Sequence, residues 1–324
     1  MKQRVLGKTG LNVSEISFGA WALGGGWGPQ QDAESIAALN EAIDRGVNFI
    51  DTAAGYGDGR SERVIAGVLA ERRERVIVAT KTPPADGPWP PSPYCRWQDR
   101  YSESYLRKNI EERLTNLKAE AIDLLQLHTW TRAWNRDPGP FLILEKLKRE
   151  GKVKHVGVST PEHDQNSVID LMKAGLVDTV QVIYNLFEQE PAAELLPVAA
   201  EHDVGIIVRV ALDEGALTGK YEAEHRFAED DFRRNYFAGD RLARTVRRAT
   251  AIEQELTGSG FTLPQMALKF VLAHPAVSCV IPGVRSVAQA RANCAVSELP
   301  NPSPELLLKM REHRWNRGFW YAGK

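Results

Sequence analysis

The sequence predicts an α/β fold of the TIM type, a closed (β/α)8 barrel in one domain spanning 1–324, and three observations predict it. Short apolar runs recur eight times, and each is followed by a segment with apolar residues at helical spacing. The runs are apolar at successive positions, so both faces of each strand are buried, as in a parallel sheet covered by helices. No Pro/Ser-rich linker divides the 324 residues, a length that such barrels reach as a single unit.

Taken in order, Arg4 to Leu6, a Gly-Lys-Thr-Gly turn and Leu11 to Val13 read as an N-terminal β-hairpin leading into a first strand at Ile16 to Phe18. A glycine-rich loop follows, then a helix from about Asp32 to Arg45, which Gly46 ends as a C′ residue. Val47 to Ile50 precedes a helix near Ser61 to Glu71, Val76 to Ala79 one near Glu103 to Leu117, and Ile122 to Leu127 one near Phe141 to Arg149. Val153 to Val158 precedes a helix near Pro161 to Lys173, and Val180 to Ile183 one near Ala192 to Glu201. Gly205 to Val208 opens onto an extra helical segment, and Val277 to Ile281 completes the series before a helix near Val287 to Ala295. Three stretches stand outside the repeat: Pro83 to Asp99, Tyr221 to about Thr257, and a C-terminal tail from Pro300.

Composition narrows the function classes. A formal net charge of −1 with interspersed signs leaves no basic stripe, so nucleic acid and anionic membranes are not expected partners. Cys95, Cys279 and Cys294 are widely spaced and lack a CxxC, against a disulfide framework or structural zinc. Met1 to Gly10 contains no apolar leader and no run of about eighteen apolar residues occurs, which points to a cytoplasmic protein. Nothing in the sequence specifies an oligomeric state.

Barrel ligands bind where the strands end at their carboxyl termini. Asp51 ends the second strand, Lys81 the third and His128 the fourth, and Tyr56 lies on the glycine-containing loop just after Asp51. Each residue alone has an ordinary structural reading, as a cap, a surface charge or a hydrogen-bonded core imidazole; four such residues on one rim form a set with chemistry. A free phenol has a pKa of about 10, and a nearby ammonium favours the phenolate. Lys81 would supply that charge, with Asp51 as its counter-ion, while a neutral His128 orients a substrate oxygen beside Tyr56. Such a set protonates a carbonyl oxygen or deprotonates an alcohol. It holds no hydride donor, so a nicotinamide cofactor is implied. No metal is expected, because Asp51 and His128 are too few ligands for a barrel hydrolase.

The segments Asp-Thr-Ala-x-x-Tyr-Gly at 51–57 with Ser61-Glu62, Ala79-Thr80-Lys81, Asp123-Leu-Leu-Gln-Leu-His128 and Val156-Gly-Val-Ser159 together resemble the aldo-keto reductases. The resemblance runs from about Arg4 to Ser297. It implies a barrel that binds NADP(H), less often NAD(H), across its mouth and reduces a small-molecule carbonyl, with Asp51, Tyr56, Lys81 and His128 as the catalytic four and Tyr56 as general acid. It further implies that Gly19, Ala20 and Trp21 border the cofactor and that Ser159, Thr160 and Gln181 meet the nicotinamide carboxamide; Thr160 stands where the family usually has Asn. Arg209 falls where many members stack an aromatic on the ring. Leu212 to Lys220, with Gly215, matches the loop over the pyrophosphate. Gly283, Arg285, Gln289 and Asn293 match the segment that grips adenosine and its 2′-phosphate.

No G-x-G-x-x-G follows the first strand, so a Rossmann domain is not supported. Trp21, Tyr94, Trp97 and Trp130, with Trp315 and Trp320 of the tail, are the candidates for a substrate pocket that takes aromatic carbonyls or open-chain sugars. The competing reading is an NADP-binding regulatory or interaction protein on the same fold, like the barrel subunits of potassium channels.

Overall fold

The computed structural model of the chain describes residues 1–28 and 30–315. Strand β1 (Gln3–Val5) pairs antiparallel with β2 (Asn12–Ser14), forming the expected hairpin. Leu6 and Val13 are buried in one cluster with Phe49, Ile77, Leu124, Ile207 and Cys279, so the hairpin seals the amino-terminal end of the barrel.

Eight parallel strands follow in sequential order: β3 (Phe18–Gly19), β4 (Phe49–Asp51), β5 (Ile77–Thr82), β6 (Ile122–Leu127), β7 (Val153–Ser159), β8 (Thr179–Ile183), β9 (Gly205–Arg209) and β10 (Val277–Val280). The sheet closes on itself where Ser17 N donates to Val280 O at 2.9 Å and Gly19 N to Pro282 O at 3.0 Å. A Cβ on Gly19 would lie 2.6 Å from Ile281 O, so the seam requires glycine there. The strands are buried along nearly their whole length, as the unbroken apolar runs require.

The helices are α1 (Asp32–Asp44), α2 (Arg60–Ala70), α3 (Gln98–Tyr101), α4 (Glu103–Leu117), α5 (Gly139–Arg149), α6 (Ile169–Lys173), α7 (Leu195–Glu201), α8 (Arg233–Tyr236), α9 (Arg241–Glu255), α10 (Leu263–Leu272), α11 (Val287–Ala295) and α12 (Pro304–Arg311). Their apolar stripes bury against the barrel and each other: Leu39, Ala42 and Ile43 of α1 share a core with Ala290 and Cys294 of α11. Gly46 has φ 88°, the left-handed conformation that ends α1.

Two expected helices are shortened. The segment from Pro161 is loop and a 3-10 turn until α6, because the buried Gln165 side chain binds the end of β8. Gln165 Oε1 accepts from Ile183 N at 2.7 Å and its Nε2 donates to Ile183 O at 3.1 Å. The helix expected from Ala192 begins only at Leu195, after a 3-10 turn at Glu190–Ala192. The first strand is also shorter than read, with Ile16 making a single bridge to Val280.

Candidate active site

Parallel register carries the strand ends to one rim. Asp51 is level with Ala79, Lys81 with Gln126, Ser159 with Gln181 and Ile183 with Arg209. A cavity of about 630 Å³ opens there, within the usual range for small-molecule sites.

At its floor, Lys81 Nζ donates to Asp51 Oδ2 at 2.5 Å, to Thr52 O at 2.9 Å and to the Tyr56 hydroxyl at 3.2 Å. Asp51 Oδ1 accepts from Gln181 Nε2 at 2.7 Å and from Gln126 Nε2 at 3.2 Å, so both carboxylate oxygens are engaged by donors. Burial alone would drive the Lys81 ammonium pKa down, but Asp51 and Tyr56 outweigh it and the net shift is upward; Lys81 is a cation. The imidazole of His128 meets the Tyr56 ring edge-on, at 75° with centroids 6.1 Å apart. Burial, then the charges of Lys81 and Arg209, hold its pKa well below the ordinary histidine value, so it is neutral.

The expected effect on Tyr56 is corrected. Lys81 does lower the phenol pKa, but burial raises it by more and Asp51 adds to the rise, so the net shift is upward. The phenol keeps its proton at neutral pH.

Two glycines set the phenol's position. Gly57 has φ +64°, and a Cβ on it would lie 2.3 Å from Gly24 O; a Cβ on Gly24 would lie 2.3 Å from Tyr56 C. The loop after β3 and the loop after β4 therefore touch backbone to backbone at Tyr56, and Trp21 stacks on the phenol ring at 5.9 Å and 19°.

With this geometry the comparison with known proteins is decisive. The sequence model of the Aldo/keto reductase family matches residues 15–312. The chain belongs to the aldo/keto reductase family. A curated relative, the uncharacterized oxidoreductase YqkF of Bacillus subtilis, is 28% identical over 97% of this chain and 96% of its own. Aldo-keto reductase YhdN of the same organism is 30% identical over 90% of this chain and 87% of its own. Among solved structures, the glycerol dehydrogenase AKR11B4 from Gluconobacter oxydans superposes with a TM-score of 0.77 at 25% identity, covering 99% of both chains.

In this aldo/keto reductase the cavity wall includes Gly19, Ala20, Trp21, Ser159, Gln181, Arg209, Leu212, Gly215, Lys220, Gly283, Arg285, Gln289 and Asn293, all expected from the sequence. Thr160 is the exception. It is buried with its hydroxyl donating to Gln165 Oε1 at 3.1 Å, turned from the cavity by the same Gln165 that shortens the following helix. Lys220 has its pKa lowered by burial and by the charges of Arg233 and Arg285, which Asp231 offsets only in part. Gln30 bridges to Arg285 in both directions at 3.0 Å.

Of the expected substrate aromatics among the described residues, only Trp21 lines the cavity. Tyr94 is 95% exposed, on the outside of its insertion. Trp97 packs against Gly139 and donates to Asp137 Oδ2 at 2.7 Å, and Trp130 is fully buried, donating to Asn135 Oδ1 at 2.7 Å. Trp315 is buried against Phe187, and Trp320 lies outside the described residues. Trp89 and Trp27 line the cavity instead: Trp89 meets His128 edge-on at 5.3 Å and Trp27 meets Trp21 edge-on at 5.7 Å. Glu162 and Arg233 also line the cavity. Trp89 belongs to the Pro- and aromatic-rich insertion and Arg233 to the segment after the seventh strand, so both lay in the stretches that departed from the repeat.

No described helix is long and apolar enough to cross a membrane, and no described group of three or more His, Cys, Asp and Glu is arranged to hold a metal ion.

Proposed function

We propose that the chain reduces aldehydes or ketones to alcohols with NADPH, Tyr56 giving the proton. One observation carries this reading: a protonated phenol and a neutral imidazole share the cavity floor, and a buried ammonium touches the phenol oxygen. His128 donates to the carbonyl oxygen and orients it toward Tyr56. Tyr56 transfers its proton as the oxygen gains charge, and Lys81, held by Asp51, stabilises the phenolate that remains.

The wall fits a dinucleotide. Lys220 and Arg285 line the cavity close enough for their charges to act on one another, a place of positive charge where phosphates would be bound, and Gln181 reaches the reacting end through its hydrogen bond to Asp51. Bound NADPH supplies the hydride that the four residues lack. Trp21, Trp27 and Trp89 surround Tyr56 and His128, which favours carbonyls carrying an aromatic ring or the C–H face of a sugar.

The test is oxidation of NADPH and NADH against a panel of aromatic aldehydes, open-chain sugars and small polyol-derived carbonyls. Turnover of at least one class with NADPH supports the proposal. Tight NADPH binding with no turnover would replace the enzyme by a cofactor-binding regulatory protein. Arg285→Ala should weaken NADPH at least tenfold more than NADH, since a lost charge-assisted contact to phosphate costs about 1.5–3 kcal/mol; equal losses would remove its phosphate role.

A further inference from the structure

Arg209 ends β9 beside Ser159 and Gln181, and its guanidinium is held on one side. Nη2 donates to Thr160 O at 3.0 Å and to Glu162 Oε1 at 3.2 Å. Nε is buried without an acceptor, and Nη1 makes no hydrogen bond to a described residue. Arg209 and Glu162 both line the cavity that contains Tyr56 and His128.

We infer that Arg209 and Glu162 form a charge pair that discriminates between the two redox states of the nicotinamide, so that the protein holds NADPH more tightly than NADP⁺. The inference rests on the reading that the nicotinamide lies against the wall of Ser159, Gln181 and Arg209. The oxidised ring carries a positive charge and the reduced ring none, so a guanidinium at that wall opposes only the oxidised form. Glu162 opposes the guanidinium, and its distance sets how much of the effect survives.

The direction follows from how the pair is joined: Glu162 meets only Nη2, while Nε has no acceptor, so the guanidinium is offset on one side alone. Arg209 lowers the pKa of both His128 and Tyr56, whereas Glu162 is not among the charges that move His128. The guanidinium is thus the member of the pair whose charge reaches Tyr56 and His128. For a reductase this arrangement favours capture of the reduced cofactor and departure of the oxidised one. The same guanidinium adds to burial and Lys81 in keeping His128 unprotonated.

The two dinucleotides share their phosphates, ribose and adenine, so the ratio of their affinities isolates the charge on the ring. Calorimetric titration of the wild type, Arg209→Met and Glu162→Gln with NADPH, NADP⁺ and adenosine 2′,5′-bisphosphate tests the pair. The wild type should bind NADPH more tightly than NADP⁺. Arg209→Met should reduce that preference by about tenfold, the scale of one screened unit charge at close range, and Glu162→Gln should increase it. The bisphosphate, which has no nicotinamide, should bind all three proteins within about twofold. The inference is overturned if the ratio is the same in all three proteins, or if Arg209→Met weakens all three ligands by one common factor. Failure of the wild type to bind either dinucleotide would overturn the cofactor reading itself, a separate result. If Arg209→Met does not fold, as judged by its melting curve, the increase in Glu162→Gln decides alone.

Discussion

The ammonium of Lys81 lies 2.5 Å from Asp51 Oδ2, and both side chains are buried at the end of neighbouring strands. The pair is held from both sides: Lys81 also donates to Thr52 O and the Tyr56 hydroxyl, and Asp51 also accepts from Gln126 and Gln181. Taking one partner away leaves an uncompensated charge where water cannot reach it. Lys81→Met and Asp51→Asn should each lower stability by about 3–5 kcal/mol, and the double variant should recover part of that loss. Urea unfolding of the three variants measures this; additive losses in the double variant would contradict the coupling.

Tyr56→Phe removes the proton donor and keeps the ring that stacks on Trp21. It should reduce kcat/KM by about 10²–10⁴ while leaving NADPH affinity within about twofold. Steady-state kinetics beside a binding titration separates the two; full activity would assign the proton to another group.

His128 has a pKa in the folded protein well below its ordinary value of about 6.5, so below that pH the unfolded chain binds a proton that the folded one refuses. The unfolded state then binds more protons, and stability rises with pH through this window and falls as the pH is lowered, with a slope of up to about 1.4 kcal/mol per pH unit below pH ~6.5. Above pH ~6.5 the imidazole contributes no slope. His128→Asn should remove this component, read as the difference between wild-type and variant stability across pH 5–7. An identical pH dependence would mean the imidazole takes up its proton over the same pH range folded and unfolded.

Gly24→Ala places a methyl 2.3 Å from the backbone carbon of Tyr56, which no side-chain rotation relieves. The loop carrying Tyr56 must move, and a displacement of about 1 Å at a reacting group costs on the order of 10²-fold in rate. The expected outcome is a loss of kcat well beyond any loss of stability. Gly10→Ala is the control, because nothing lies within 4 Å of its Cβ, although φ +68° carries some strain.

The barrel was legible because a buried parallel strand has no polar face, so its run of apolar residues stands out, and each following helix repeats at its own period. Strand order then placed Asp51, Lys81 and His128 on one rim without any knowledge of distances. The helix after Ser159 was misread because its apolar spacing does not reveal that Gln165 is drawn inward to the β8 carbonyl and amide of Ile183. Tyr94, Trp97 and Trp130 were misplaced for a related reason: the direction of a side chain in an irregular loop follows from which surface it packs on, and no sequence period records that.

The sequence by itself determined the alternation of strands and helices, the residues at the carboxyl ends of the strands and the resemblance that named the family. Only the tertiary structure decided that Trp89 faces His128, that Arg209 and Glu162 meet on the cavity wall, and that burial overrides Lys81 in setting the Tyr56 proton. These are sums over neighbours distant in the chain, and desolvation in particular depends on everything that surrounds a group.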